Sequence, residues 1–169
     1  MSHKLSKEQF SSALRGALQD FPDIFIKDEQ QACIESLVLD KKDVLGVLPT
    51  GFGKSLIYQL LPRIFKHLWS EKYGESKVFK VIVINPLQLI RLQQVCRLNK
   101  RGLKAASLDD IDEENVDNLE VIFGSAEQWL SDKWKIELAR GRLKDAEVLV
   151  VDEAHTVETW YVEGCDIYA

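Results

Sequence analysis

A lysine and a serine follow a glycine-rich turn in the stretch LPTGFGKSLIYQLLP. Phosphate-binding loops usually read G-x-x-x-x-G-K-[ST]. Gly53, Lys54 and Ser55 match the end of that pattern, whereas Leu48 stands where its first glycine is expected. Gly51 and Gly53 allow a tight turn whose N–H groups face an anion. We expect Lys54 to contact the β- and γ-phosphates of a nucleotide and Ser55 to bind Mg²⁺. The alternative is an ordinary strand–helix turn that happens to contain these residues.

Two carboxylates directly follow an apolar run in the stretch VLVVDEAH. The carboxyl end of a buried strand is where α/β proteins bind ligands. We expect Asp152 to hold Mg²⁺, directly or through water, and Glu153 to act as the general base on an attacking water. The alternative is that the acidic pair begins a helix.

Helical patterns alternate along the chain with short apolar runs, which predicts an α/β fold with a mainly parallel sheet. Pro62 lies inside a helical pattern and predicts a kink or a break. Asp28 is the expected cap of the second helix. Strands are predicted over residues 43–49, 80–85, 104–108, 119–124 and 146–151, and helices over 10–21, 29–39, 55–69, 86–102 and 125–142, with an acidic loop or short helix over 109–118.

Length and composition indicate one globular domain: 169 residues, 46% hydrophobic and 29% charged. No apolar run is long enough for a membrane span, and the first residues lack an apolar signal segment. Three scattered cysteines without CxxC spacing fit a reducing compartment, either nuclear or cytoplasmic, with no disulfide or zinc framework.

The net charge of −5 is unusual for a free-standing nucleic-acid binder. We therefore expect any DNA contact to use a local basic patch or a further domain. The alternative for that patch is a solvated helix face. The patch residues are Arg91, Arg97, Lys100, Arg101 and Lys104.

Together these motifs resemble the first motor lobe of superfamily 2 helicases, and specifically of the RecQ family. LPTGFGKS resembles RecQ motif I, which also has Pro-Thr where other P-loops have glycine. DEAH is RecQ motif II, and Trp160 resembles the tryptophan that opens the family's aromatic-rich loop.

Weaker matches lie between and before these two motifs. FIKDEQQACI resembles motif 0, with Gln30 at the adenine-reading glutamine, Gln31 as a one-residue-slip alternative, and Lys27 in place of the family's arginine. VIVINPLQLIRLQQV resembles motif Ia, where Pro86 and Gln94 agree and asparagine replaces serine. FGSAEQWL resembles motif Ib, with alanine in place of proline.

The resemblance implies a RecA-like P-loop NTPase lobe, truncated after motif II because 14 residues follow His155. Residues 1–24 would form an N-terminal helical segment and residues 25–169 the incomplete lobe. It implies ATP and Mg²⁺ as cofactors, DNA as partner, and 3′-to-5′ unwinding in recombination and repair by complete family members. The implied site residues are Lys54, Asp152 and Glu153 for catalysis; Lys27, Gln30, Thr50, Gly51, Gly53, Lys54 and Ser55 for ATP; Ser55 and Asp152 for Mg²⁺; and Pro86, Gln94, His155 and Trp160 for coupling to DNA.

Two other functions remain open from the sequence. One is a non-catalytic ATP-binding or interaction module derived from a helicase. The other is an unrelated P-loop enzyme such as a nucleotide kinase, which the DEAH motif and the spacing to Trp160 disfavour. For the helicase, we expect an isolated lobe to hydrolyse ATP slowly and not to unwind DNA, and the chain to fold poorly if the strands before the P-loop and before DEAH lack a shared neighbour.

Overall fold

A computed structural model describes residues 5–111 and 113–153. Its sheet contains four parallel strands in the order β2-β3-β1-β4. The two central strands β1 and β3 are short, almost fully buried apolar runs, as expected for strands covered on both faces. The strands are β1 (Val81–Ile84), β2 (Ala105–Ser107), β3 (Val121–Gly124) and β4 (Val148–Val151).

Helices cover both faces of this sheet, which confirms the α/β architecture. Alternate strand residues point to opposite faces: Val81 and Phe123 belong to one apolar core, and Ile82 and Ile122 to the other. The helices are α1 (Lys7–Leu18), α2 (Asp28–Val38), α3 (Lys54–Tyr73), α4 (Gln88–Lys100), α5 (Ala126–Trp129) and α6 (Asp132–Ala139), with a 3₁₀ helix at Glu113–Asn118.

The first four helices contribute to the first of these cores, and α5 and α6 to the second. Phe10, Ala13 and Leu14 of α1 are buried in the same core as the strands. The domain boundary after residue 24 stays a prediction. No helix among the described residues is long and apolar enough to cross a membrane.

Three sequence expectations about helices are wrong in detail. The helix α3 continues through Pro62, so the predicted break is wrong, whereas a kink at this position stays a prediction. Proline removes one intrahelical hydrogen bond, but the neighbouring Leu60, Leu61 and Ile64 are fully buried, and their packing holds the helix together. Asp28 is the first residue of α2 rather than its cap. The predicted helix over 125–142 is divided into α5 and α6.

The predicted strand over residues 43–49 is absent. Leu45 and Val47 are 83% and 86% exposed instead. Apolar sequence alone does not make a strand, because a strand needs a partner for its backbone and a cover for its side chains. Gly46 and Pro49 weaken the tendency further.

Strand β4 forms one edge of the sheet, and among the described residues it pairs only with β1. Its outer residues Leu149 and Val151 remain 64% and 42% exposed. The segment before the P-loop and the strand before the acidic pair therefore lack a common neighbour among the described residues, as the sequence analysis expected.

Truncation of a core residue of α3 should test this packing. Leu61 is completely buried, so we expect Leu61→Ala to lower the free energy of unfolding by about 2–5 kcal/mol. Urea denaturation followed by circular dichroism measures the change. Leu92→Ala is the matched control, because Leu92 is 42% exposed and should change stability by less than about 1 kcal/mol. Equal losses in both variants would contradict the assigned core.

Candidate functional site

The glycines of the P-loop have the conformation that the motif requires. Gly51 and Gly53 have φ angles of 78° and 90°, in the left-handed region that favours glycine. Gly53 also immediately precedes the first residue of α3. A Cβ on Gly53 would lie 2.8 Å from the side-chain nitrogen of Gln30. Both the backbone angle and the close contact therefore select glycine at this position.

Gln30 fixes the loop from the side of α2. Its buried side-chain amide donates to the carbonyl oxygens of Phe52 and Gly53, at 3.0 and 2.9 Å. Its Oε1 accepts from the backbone N–H of Lys27 at 2.9 Å. In this structure the amide thus holds the phosphate loop. Adenine recognition by Gln30, or by its half-buried neighbour Gln31, stays a prediction.

Two lysine side chains contact the P-loop. Lys27 Nζ is 3.9 Å from the centre of the Phe52 ring and 3.3 Å from the Phe52 carbonyl oxygen. Lys54 Nζ donates to the Leu48 carbonyl oxygen at 3.3 Å. Both ammonium groups are close to the turn that would receive phosphates, and Thr50 is exposed in that turn.

Asp152 meets the P-loop helix through Tyr58. The Tyr58 hydroxyl donates to Asp152 Oδ2 at 3.4 Å, and Asn85 Nδ2 donates to the same oxygen at 3.2 Å. Burial, and then the negative charge of Asp152, raise the pKa of Tyr58 far above its ordinary value. The hydroxyl therefore remains protonated and also interacts with the Ser55 side chain. Ser55 and Asp152, the two expected Mg²⁺ ligands, thus share one contact.

Tyr58 was missed as a site residue in the sequence analysis. A signal was present, because Tyr58 lies four residues after Lys54 and so one turn further along the same helix face.

Asn85 was noted only as a replacement for serine. Its Oδ1 accepts from the backbone N–H of Leu87 at 2.9 Å, which fixes the turn that leads from β1 through Pro86 into α4.

Gln94 connects α4 to the P-loop serine. Its Nε2 donates to Ser55 Oγ at 3.1 Å, and its Oε1 accepts from Gln59 Nε2 at 2.6 Å. The Ser55 hydroxyl is therefore in contact with α4 as well as with Tyr58.

Glu153 has an unusual backbone conformation. Its φ angle is 56°, in the left-handed region that non-glycine residues rarely adopt. Its backbone N–H donates to Asp152 Oδ1 at 3.1 Å. Strain of this kind is often found at functional positions. His155 and Trp160 lie outside the described residues.

The structure corrects one member of the expected basic patch. Arg91 is buried, and it donates to the Asn85 carbonyl oxygen at 2.8 Å and to Asp109 at 3.2 Å. It therefore supports the loop after β1 from inside the protein. Burial alone would raise the pKa of Asp109, but hydrogen bonds from Ser107, Arg91 and Gln128 outweigh it and lower that pKa.

The lowered pKa predicts a pH dependence of stability. Because the folded-state pKa of Asp109 is lowered, its stabilising effect is present above its unfolded pKa and is lost as the pH falls through the folded value. We expect Asp109→Asn to reduce the free energy of unfolding by about 1 kcal/mol at pH 7, with the difference from wild type shrinking below about pH 4. Urea titrations at pH 7, 4 and 3 measure this, with the exposed Asp110→Asn as control. A pH-independent difference would contradict the assignment.

Comparisons with known proteins relate this sequence to helicases. The sequence profile described as DEAD/DEAH box helicase matches residues 27–168. The ATP-dependent helicase wrn-1 of Caenorhabditis elegans is 29% identical over 140 residues, covering 78% of this chain and 12% of that protein. The probable ATP-dependent DNA helicase RecS of Bacillus subtilis is 31% identical over 145 residues, covering 79% and 26%. The putative ATP-dependent DNA helicase Q1 of Caenorhabditis briggsae is 38% identical over 80 residues, covering 47% and 11%.

The chain spans about a quarter or less of the length of these relatives. The profile, by contrast, includes most of the chain and contains both the P-loop and the DEAH sequence. The chain therefore belongs to the DEAD/DEAH box helicase family, and its resemblance to the RecQ helicases within that family is confirmed.

Proposed function

We propose that this chain is the ATP-binding lobe of a RecQ-like 3′-to-5′ DNA helicase. The observation that carries the proposal is the hydrogen bond from Tyr58 of the P-loop helix to Asp152 at the end of β4. It brings the beginning of the P-loop helix and the end of β4 to one place. A nucleotide-hydrolysing site requires that arrangement, because one Mg²⁺ must reach both elements.

The phosphates would lie on the P-loop. Left-handed Gly51 and Gly53 shape the turn, and α3 presents its positive end there. Lys54 would exchange the Leu48 carbonyl oxygen for phosphate oxygens. That exchange is favourable because an ammonium group interacts more strongly with an anion than with a neutral carbonyl.

The oxygen donors fit Mg²⁺. This ion prefers hard oxygen ligands and usually combines one or two protein groups with phosphates and water. Ser55 Oγ and Asp152 meet that requirement, and the neutral donors Tyr58 and Asn85 orient the carboxylate without a competing positive charge. When bound, Mg²⁺-ATP supplies the phosphoanhydride bond that is hydrolysed. Glu153, next to Asp152, would accept a proton from the attacking water.

The adenine would contact α2 and the residues before it. Gln30 has both an amide donor and an acceptor oxygen, which suits the edge of adenine. Its present bonds to the loop mean that base recognition and loop position would be coupled. Lys27 would approach the base in place of the arginine of RecQ proteins, with weaker stacking because an ammonium group is not planar.

Unwinding is proposed to require more than these 169 residues. The helicases named above are several times longer than the part that this chain matches. An arginine finger, which in RecQ proteins comes from a second lobe, accelerates hydrolysis about 10³–10⁵-fold in enzymes that use one. We therefore propose slow ATP hydrolysis and no unwinding by the chain alone. DNA is the proposed partner, with Pro86, Gln94, His155 and Trp160 in coupling, and the proposed location is nuclear or cytoplasmic.

Loss of the Lys54 ammonium should abolish nucleotide binding. A ligand present at 100 times its Kd stabilises a protein by about 2.7 kcal/mol. We expect Mg²⁺-ATP to raise the Tm of wild type and of Lys135→Ala, a control at an exposed lysine of α6, but not that of Lys54→Ala. Thermal melts with and without Mg²⁺-ATP provide the measurement. Equal shifts in all three proteins would rule out Lys54 as a phosphate ligand.

Substitutions should distinguish the proposed roles of Glu153 as a base and Asp152 as a metal ligand. We expect Glu153→Gln to retain Mg²⁺-ATP binding, and, in a protein that also carries a relative's second lobe, to lower hydrolysis about 10²–10⁴-fold. Asp152→Asn should instead weaken the Mg²⁺ dependence of ATP binding. Titration of a fluorescent ATP analogue with and without Mg²⁺, and a phosphate-release assay, distinguish the two. Full turnover by Glu153→Gln would show that Glu153 is not the base and would favour a non-catalytic ATP-binding module.

A further inference from the structure

Four aromatic side chains lie together at the C-terminal end of α3 and in the segment that leads into β1. The ring centre of Trp69 is 4.2 Å from that of Tyr73 and 5.9 Å from that of Phe79. The rings of Phe65 and Phe79 are 5.8 Å apart. Phe79 is buried, whereas Tyr73 is 49% exposed. The aromatic cluster, as we call these four residues, therefore reaches from the core to the surface.

Two lysine side chains lie over the rings of this cluster. Lys77 Nζ is 4.9 Å from the centre of the Trp69 ring and 5.0 Å from that of Phe79. Lys72 Nζ is 4.9 Å from the centre of the Tyr73 ring. An ammonium group within about 6 Å of a ring centre is attracted by the negative charge on the ring face. The aromatic cluster thus attracts cations, and Lys77 contacts two of its rings.

A carboxylate completes the surroundings of Lys77. Glu147 Oε1 is 3.9 Å from Lys77 Nζ, and Glu147 Oε2 accepts from the backbone N–H of Lys80 at 2.8 Å. The hydrogen bond fixes the carboxylate just before β4. Burial raises the pKa of Glu147. A positive charge next to this carboxylate is therefore favourable, because it offsets the cost of burial.

The end of α3 is a third source of negative potential. The helix ends at Tyr73, and its cap Gly74 has a φ angle of 71°, in the left-handed region. The last carbonyl groups of a helix lack intrahelical partners and carry a partial negative charge that favours cations. This end lies about 28 Å along the helix axis from Lys54. The aromatic cluster is therefore far from the P-loop.

Lys77 is a loosely held occupant of these surroundings. Its side chain is 43% exposed, and its distance of 3.9 Å from Glu147 is long for an ion pair. A primary ammonium group is also strongly hydrated. An ammonium group that carries alkyl groups is less hydrated and offers apolar surface to the rings, which is why aromatic cages bind quaternary ammonium ligands. Such a group suits the cluster better than lysine does.

We propose that the aromatic cluster and Glu147 form a binding site for an alkylated ammonium group, and that Lys77 occupies this site until such a ligand displaces it. Trp69 and Phe79 contact the alkyl groups, and the Glu147 carboxylate balances the charge. Lys77 then acts as a competitor within the chain, so the apparent affinity for a ligand depends on how often Lys77 leaves the rings. The site does not depend on nucleotide binding.

Titration with tetramethylammonium tests the site directly. We expect this cation to shift the NMR signals of the Trp69 indole N–H and of backbone N–H groups in residues 74–79 of the full chain. The Trp69 signal is identified by its loss in Trp69→Phe. tert-Butanol, which has a similar size and shape but no charge, is the control ligand, and sodium chloride controls for ionic strength. Equal shifts with tert-butanol, or none with tetramethylammonium, would overturn the proposal.

Removal of Lys77 should tighten binding, a result that misfolding cannot imitate. We expect Lys77→Ala to lower the apparent Kd for tetramethylammonium about three- to tenfold, because the competing ammonium group is gone. Lys72→Ala removes the same charge from an exposed neighbour and should change the Kd less than about twofold, because salt screens exposed charges. Glu147→Gln should raise the Kd. An unchanged Kd in Lys77→Ala, or an equal decrease in Lys72→Ala, would refute the site.

The stem that carries the ammonium group identifies the source of the ligand. Choline and an N-acetylated, amidated trimethyllysine present the same head group on a small molecule and on a protein side chain. Tighter binding of the trimethyllysine would indicate a methylated lysine of a partner protein, and tighter binding of choline would indicate a free small molecule; both results support the site. Weaker binding of both than of tetramethylammonium would show that the site admits no stem, which contradicts the proposal.

Discussion

The site depends on the central position of β1 in a parallel sheet. Both faces of β1 are buried, and it pairs with β3 on one side and β4 on the other in matched register. The pairing continues one residue beyond the strands, since Asn85 N–H donates to the Gly124 carbonyl and Asp152 N–H to the Ile84 carbonyl. Asn85 and Asp152 therefore leave the sheet side by side, and their side chains meet at 3.2 Å. A one-residue slip would turn one of them away.

The P-loop lies close to Asp152 but is held there by different contacts. It follows no described strand, and it is held instead by α3, which it leads into, and by the Gln30 amide of α2. The Tyr58 hydroxyl then connects α3 to Asp152. The phosphate turn is consequently fixed from its C-terminal side by buried helix packing and polar contacts. This explains how the loop keeps its glycine conformation although the preceding segment lies outside the sheet.

Much of the fold was predictable because strands β1 and β3 are continuous apolar runs, and such runs are buried wherever a parallel sheet has helices on both faces. The P-loop and the acidic pair were predictable because their residue types are specific. The wrong predictions have a common cause: contacts with residues that are distant in the sequence decide between structures that the local sequence pattern allows. The sequence of residues 43–49 is typical of a strand, but the segment has no pairing partner. Pro62 predicts a break, but it is surrounded by buried leucines in a continuous helix. Arg91 has the pattern of a surface cation, but it is buried against Asp109.

The proposed contact of Lys54 with phosphate bears on the pairing of the segment that contains Leu48. In this structure the N-terminal side of the loop is held to the rest of the site by the bond from Lys54 to the Leu48 carbonyl, and the segment before it exposes Leu45 and Val47. If Lys54 turns to a phosphate, that bond is lost, and the segment loses a constraint while the loop must remain closed around the ligand. Pairing of residues 43–49 with a further strand would restore the constraint, bury the two side chains and lower the entropic cost of closing the loop. Strand pairing beside the P-loop and nucleotide affinity should therefore rise together, because each stabilises the conformation that the other requires.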